Sequence, residues 1–473
     1  MENRRAQAPA DMRPPAHVMK PRQSGLRMRR VDDINANNDA DEEATPTTEV
    51  FRIVQVTDTH VAEDEEDDER TFTLLSKLIE AELERDVNGG EGVDHVVLSG
   101  DLITAAEIGT NATDYWEQLV AEFDAYSPSH SAILGNHDAE PPLELHRKQT
   151  EKGAATSRRQ LMINDARLPL SFSGVAPATL GDAASVYMLP VFSADGRTPQ
   201  LLMYHLDSGG GGTEEIVKAP QLDWLRTVSQ KARYRYGRDI PSVAFIHIPL
   251  HQFQVKAAND NVFVGDCLED VLTTSSDTGL FDVLAGIRGM QAIFSGHNHC
   301  NSYCTTLATG HEPASTISLC YGRHSGFGGW SCDDFARGIR VISFSEDQAD
   351  GELVGETYIR LEDGSVVDRI HLGVPIVANA SDARLTASAN ASIGASLWLF
   401  FIFMAAATAI SLCWIYIRPR HPGLRRRKNS SGSSLSGWRA LPLVRAGGTG
   451  GMSPPRSGYD DNDMLGVQMS IVY

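Results

Sequence analysis

Five apolar runs in this chain each stop on side chains that bind metals or move protons. Phe51-Arg52-Ile53-Val54-Gln55-Val56-Thr57 leads into Asp58-Thr59-His60, and Val96-Val97-Leu98-Ser99 into Gly100-Asp101. Ser131-Ala132-Ile133-Leu134 leads into Gly135-Asn136-His137-Asp138. Val243-Ala244-Phe245-Ile246 leads into His247, and Ala292-Ile293-Phe294-Ser295 into Gly296-His297-Asn298-His299. Short apolar runs bounded by glycine and polar residues read as buried strands. In an open α/β sheet the carboxyl edge of the strands is where sites are built. A lone Asp after a strand is ordinarily a cap or turn residue, so the weight lies on the repetition.

Between the runs the apolar period changes from strand to helix. Phe72, Leu75, Leu78, Ile79 and Leu83 recur at helical spacing, a second helix is predicted over about 114–123, and 144–165 reads as a largely polar surface helix. Strands are predicted at 186–191 and 201–206, followed by a flexible Gly209–Gly212 loop and a helix opened by Pro220. The later strands fall at 316–321, 339–344, 354–360 and 366–372. Early βαβ units with a strand-rich end predict an α/β fold: a two-sheet mixed β-sandwich flanked by helices.

The flanks differ in character. Residues 1–49 lack apolar periodicity and read as disordered, with no signal-peptide core to account for export. The folded domain is expected over 50–375 and a stalk over 376–392. Residues 393–417 then run without a charge, long enough for the ~20 residues a membrane-spanning helix needs. A basic disordered tail fills 418–473, with Arg418, Arg420, Arg425, Arg426, Arg427 and Lys428 at its start. The positive-inside rule places that tail in the cytosol and the domain on the lumenal or extracellular side. Asn111, Asn379 and Asn390 begin glycosylation triplets.

A formal net charge of −20 excludes nucleic acid as partner. The acidic run Glu63–Glu69 reads as a solvated loop. Cys300 and Cys304 are spaced like half a zinc site without a second pair, and a disulfide such as Cys304 with Cys320 is the stronger expectation for a lumenal domain.

Collected, Asp58, His60, Asp101, Asn136, His247, His297 and His299 are oxygen and nitrogen ligands suited to manganese, iron or zinc. They suffice for two metal ions, which ~3.5–4 Å apart activate water and bind phosphoryl oxygens. His137 is then the candidate for the leaving oxygen, with Asp138 to orient it. His251 competes with His247, while His95, His130, His146 and His205 read as surface or satisfied core histidines.

The series Asp-x-His, Gly-Asp, Gly-Asn-His-Asp, His, Gly-His-x-His resembles the calcineurin-like metallophosphoesterase superfamily from about Phe51 to Leu372. The resemblance implies that Asp58, His60 and His299 hold one metal, Asp101 bridges, and Asn136, His247 and His297 hold the other. His137 would act at the phosphoryl or leaving group. Leu206-Asp207-Ser208-Gly209, His247-Ile248-Pro249-Leu250, Gly296 to Cys304 and Leu319 to Arg323 look like the small purple-acid-phosphatase-like branch. The purple enzymes carry Tyr where this chain has Thr104, so no iron-phenolate colour is expected. Arg323 and His324 are weaker candidates for substrate contact, with a salt bridge or turn as the alternative. The implied activity is hydrolysis of phosphomonoesters. A phosphodiesterase, or a catalytically silent membrane-tethered binding protein, are the other readings.

Overall fold

Successive strand residues point alternately into two apolar cores. Tyr187, Leu189 and Val191 enter one and Met188 the other; Leu201 and Met203 alternate with Leu202 and Tyr204, and Val243 and Phe245 with Ala244 and Ile246. Such strands are covered on both faces, which is why they read as continuous apolar runs in the sequence.

The computed structural model describes residues 25–32, 47–83, 92–108, 112–124, 129–141, 156–257, 262–311, 315–347 and 351–376. Its first strands are β1 (Arg29–Asp32), β2 (Thr47–Val56), β3 (His95–Ser99) and β4 (His130–Ile133). Then come β5 (Tyr187–Phe192), β6 (Pro199–His205), β7 (Ser242–Phe245), β8 (Phe263–Val264) and β9 (Met290–Ser295). The last are β10 (Cys304–Ala308), β11 (Thr316–Tyr321), β12 (Gly338–Glu346), β13 (Leu353–Leu361) and β14 (Val366–His371). The helices are α1 (Glu65–Leu83), α2 (Ala112–Asp124), α3 (Arg158–Asp165), α4 (Ala219–Tyr236) and α5 (Leu280–Ala285).

One sheet runs β14-β13-β12-β2-β3-β4 with β1 added beside β2, and the other runs β5-β6-β7-β9-β11-β10-β8. The pairs β2/β3 and β3/β4 are parallel, as are β6/β7, β7/β9 and β9/β11. The remaining pairs are antiparallel, so both sheets are mixed, as expected. One apolar cluster joins residues of both sheets with Leu75, Leu78 and Ile79 of α1 and Trp116, Leu119 and Phe123 of α2. A second lies between the outer face of the second sheet and α4 and α5.

Several expectations need correction. Part of the segment expected to be disordered forms β1, because Leu26 and Met28 are buried and Arg29 pairs with Asp94 at 2.5 Å. The acidic run is not a loop. Glu65, Glu66, Asp67 and Asp68 make the first turn of α1, where the helix dipole favours negative charge. Asp64 accepts the Glu66 and Asp67 N–H groups there, and Asp68 accepts that of Ala62. The helix predicted over 144–165 is described only as α3, capped by Ser157, whose hydroxyl accepts Gln160 N–H. The predicted spanning segment 393–417, the stalk beyond Ile376, the basic tail and the three glycosylation asparagines lie outside the described residues. Among the described residues no helix is long and apolar enough to cross a membrane.

Candidate metal centre

The parallel strands β2, β3, β4, β7 and β9 deliver their carboxyl ends to one edge. β2 and β3 stay paired beyond their ends, with Asp58 N–H donating to Gly100 O at 3.0 Å and His60 N–H to Asp101 O at 3.1 Å. The turns that follow β2, β3 and β9 carry unusual backbone angles. Asp58, His60, Asp101 and His297 all have positive φ, at 56°, 48°, 50° and 74°. Non-glycine residues pay conformational strain there, and such strain clusters at functional sites.

Ligand atoms of Asp58, His60, Asp101 and His299 lie within 4.8 Å of one another, and so do those of Asp101, His247 and His297. Asp101 belongs to both groups. Asn136, seven percent exposed, keeps a buried Oδ1 without a hydrogen-bond partner.

Hydrogen bonds at the far nitrogen fix the tautomer of three histidines. His247 Nδ1 donates to Ser99 O at 2.9 Å, and His299 Nδ1 to Trp330 O. Thr104 gives its hydroxyl proton to Glu63 at 2.6 Å, so it accepts from His60 Nδ1 at 2.8 Å. In the neutral ring, the form that binds a metal, each Nε2 therefore presents a lone pair. The His60 and His299 Nε2 atoms approach to 3.1 Å, and His247 Nε2 sits 2.9 Å from Asp101 Oδ2. Neither atom of the latter contact has a hydrogen-bond partner of good geometry. Lone pairs converging from imidazoles and carboxylates repel unless a cation sits among them, and a carbonyl or hydroxyl behind each ring is how metal-ligating histidines are oriented. The residues present fit two metal ions.

Titration reflects the same crowding. Burial alone would raise the Asp101 carboxyl and lower the His247 imidazole. Their contact reverses both, holding Asp101 well below the ordinary range and pushing His247 up to about 9. Burial, with the neighbouring His247, lowers His297 to about 4, and burial also lowers His299.

His137 stands beside this cluster, its ring centroid 5.1 Å from that of His60. Its orienting carboxylate is not Asp138, as the motif suggested, but Glu140, whose Oε2 accepts from Nδ1 at 2.8 Å. Asp138 is fully buried and accepts the N–H groups of Gly135, Asp101, Leu102 and Ile103. It locks the β3 and β4 turns together.

The glycine-rich stretch expected to be flexible is also fixed. Gly210, at φ 91°, lies so near Asn136 that a Cβ would come within 2.3 Å of the Asn136 Cβ. Asp207 anchors that stretch by accepting the Gly209 N–H at 2.9 Å, and is itself held by Arg158 at 2.5 Å and Ala184 N–H at 2.6 Å. Arg323 does not face the cluster. It pairs with Asp266 at 2.6 Å, donates to Ala336 O and lies over the Phe335 ring. His324 packs 4.4 Å from the His299 ring and bonds Gly328 O. His251 bonds Thr274 O. His95, His130 and His205 are buried with partners, and His146 lies outside the described residues.

Cys304 and Cys320 form a disulfide, and so do Cys300 and Cys332, which removes the zinc half-site. The supports Glu63, Thr104, Glu140 and the Trp330 carbonyl were not singled out from the sequence as parts of the site. The one signal for them was the Thr in place of the purple enzymes' Tyr.

Among similar proteins, probable inactive purple acid phosphatase 28 of Arabidopsis thaliana is 27% identical over 348 residues, covering 66% of this chain and 81% of that protein. Probable inactive purple acid phosphatase 29 of the same plant is 26% identical over 329 residues, covering 62% and 76%. The crystal structure of the 5'-nucleotidase from Candida albicans SC5314 aligns at 11% identity with a TM-score of 0.34, over 66% of this chain and 52% of that one. Residues 51–301, more than half of the chain, match the calcineurin-like phosphoesterase family, and the chain belongs to it.

Proposed function

We propose that this protein is a dinuclear metal-dependent phosphomonoesterase. Asp58, His60 and His299 would hold one ion and Asn136, His247 and His297 the other, with Asp101 common to both groups. The observation that carries the proposal is the convergence of oriented Nε2 atoms on Asp58 and Asp101 beside His137, whose ring is held by Glu140. Two divalent ions bound there would supply the Lewis acidity needed to activate water for attack on phosphorus near neutral pH. His137, protonated and steered by Glu140, faces the leaving oxygen and donates to it.

The domain is tethered by residues 393–417 and works on the lumenal or extracellular side. Two disulfides among the described cysteines support an oxidising compartment. A metal-loaded binding protein without turnover is the second reading, favoured by the words "probable inactive" in the names of the plant relatives. Against it, every ligand position of the resemblance is filled in this chain, and unused buried ligands would only destabilise the fold.

The test is hydrolysis of p-nitrophenyl phosphate beside bis-p-nitrophenyl phosphate by the full chain loaded with manganese, iron or zinc. Metal-dependent cleavage of the monoester, lost in Asp101→Ala and reduced 10²–10⁴-fold in His137→Ala, is the expected result. Turnover of the diester alone would make it a phosphodiesterase. A folded, metal-loaded chain inert to both would favour the binding protein.

A further inference from the structure

Glu63 precedes α1 but is not needed to cap it, since Asp64 and Asp68 accept the N–H groups at that end. Both its carboxylate oxygens instead bond groups that back the metal centre. Oε1 accepts the Thr104 hydroxyl at 2.6 Å, and Thr104 in turn accepts from His60 Nδ1 at 2.8 Å. Oε2 accepts the Gly329 N–H at 2.7 Å.

Gly329 is pressed against two ligand rings. With φ at 72°, a Cβ there would lie 2.8 Å from His60 Cδ2 and 2.9 Å from His299 Cε1. The next residue, Trp330, provides the carbonyl that receives His299 Nδ1–H. One carboxylate therefore orients His60 through Thr104 and His299 through the Gly329–Trp330 backbone, one oxygen for each. Its oxygens are not ligand atoms themselves: Oε1 lies 3.5 Å from His60 Nδ1, on the side of the ring facing away from the cluster. The second half-site has its own support, His247 being held by Ser99 O.

We infer that Glu63 is the positioning residue of the first metal half-site, setting the affinity of the ion held by Asp58, His60 and His299 without touching it. The inference rests on the dinuclear reading, and its test is metal uptake rather than hydrolysis. Manganese is titrated calorimetrically into the metal-free full chain, with His60→Ala and His247→Ala marking which binding step belongs to which half-site. Electron paramagnetic resonance at two equivalents reads whether the ions are coupled.

Glu63→Ala weakens the step lost in His60→Ala by ten- to a hundredfold, the usual effect of removing a group behind a ligand. It leaves the step lost in His247→Ala unchanged, and the coupled signal gives way to that of isolated manganese. Glu63→Gln retains an acceptor oxygen for Thr104 but cannot accept from Gly329 as well, so its loss is smaller. It also serves if the Ala variant does not fold. Both steps within twofold of the native chain would overturn the inference, as would an equal loss in both with a lower unfolding temperature of the metal-free protein. A native chain that binds two ions but cleaves no ester leaves the inference standing and removes the enzymatic reading. A native chain that takes up none of manganese, iron or zinc removes both.

Discussion

In the metal-free protein the His137 imidazole keeps its proton well into the alkaline range. Burial alone would lower it, but the Glu140 carboxylate at 2.8 Å and the nearby Asp101 push it up to about 9. A raised folded-state value means that the stabilising charge is fully present below about 6.5 and is lost as pH rises through 9. Glu140→Gln removes the carboxylate while keeping a neutral group of the same size. The imidazole of the metal-free variant, followed by nuclear magnetic resonance, is expected to titrate roughly one unit or more lower. An unchanged midpoint would mean that Asp101 alone holds the charge and that Glu140 plays no part in orienting the ring.

At the scale of elements, the segment from Gly322 to Cys332 is a cover tied at several points. Phe327 N–H donates to Thr71 of α1, Gly329 N–H to Glu63, and Cys332 is bonded to Cys300 beside the candidate ligand His299. Closing a chain loop of 32 residues restricts the unfolded state by about 3–4 kcal/mol in the chain-entropy account. Cys332→Ser is therefore expected to lower unfolding stability by roughly that amount and to speed amide exchange across 326–332. Slow exchange in the variant would show that Glu63 and Thr71 suffice to hold the cover. This element also marks the boundary of what the sequence made legible. Ligand positions stood out because strand ends repeatedly carried His, Asp and Asn, types that a turn seldom needs in series. The supports did not, because a hydroxyl in a turn, an acid in an acidic run and a backbone carbonyl have no side-chain signature. For the same reason Asp138 was assigned to His137: adjacency in the motif says nothing about direction, and its carboxylate turns inward to backbone N–H groups.

At the scale of the whole molecule, the apolar space between the sheets of the described residues is crossed by buried polar side chains, among them a thread of histidines and serines. His95 bonds Ser129 and Ser131 at 2.8 Å each, and Ser131 bonds His205 at 3.0 Å. The His205 ring stacks between Tyr187 at 4.4 Å and Phe245 at 5.5 Å. Burial lowers His205 to about 3 and His95 well below the usual imidazole range. Both are therefore neutral in the folded chain at pH values where the unfolded chain protonates them. With the folded-state value depressed, the unfolded state binds more protons between about 3 and 6.5, so stability falls as pH falls through that window. The slope is about 1.4 kcal/mol per pH unit for each such histidine once pH is well below 6.5. His205→Phe keeps the stack and removes the titration, while giving up one hydrogen bond worth about 1 kcal/mol. Urea unfolding of the metal-free protein should then show a variant slightly weaker than native at pH 7 that loses less on acidification to pH 5. Parallel losses in the two proteins would mean that acid sensitivity resides elsewhere, with the metal-centre histidines the next to test. For a chain proposed to hydrolyse phosphate esters in an oxidising compartment, these two histidines make part of its acid sensitivity a property of the fold rather than of the reaction.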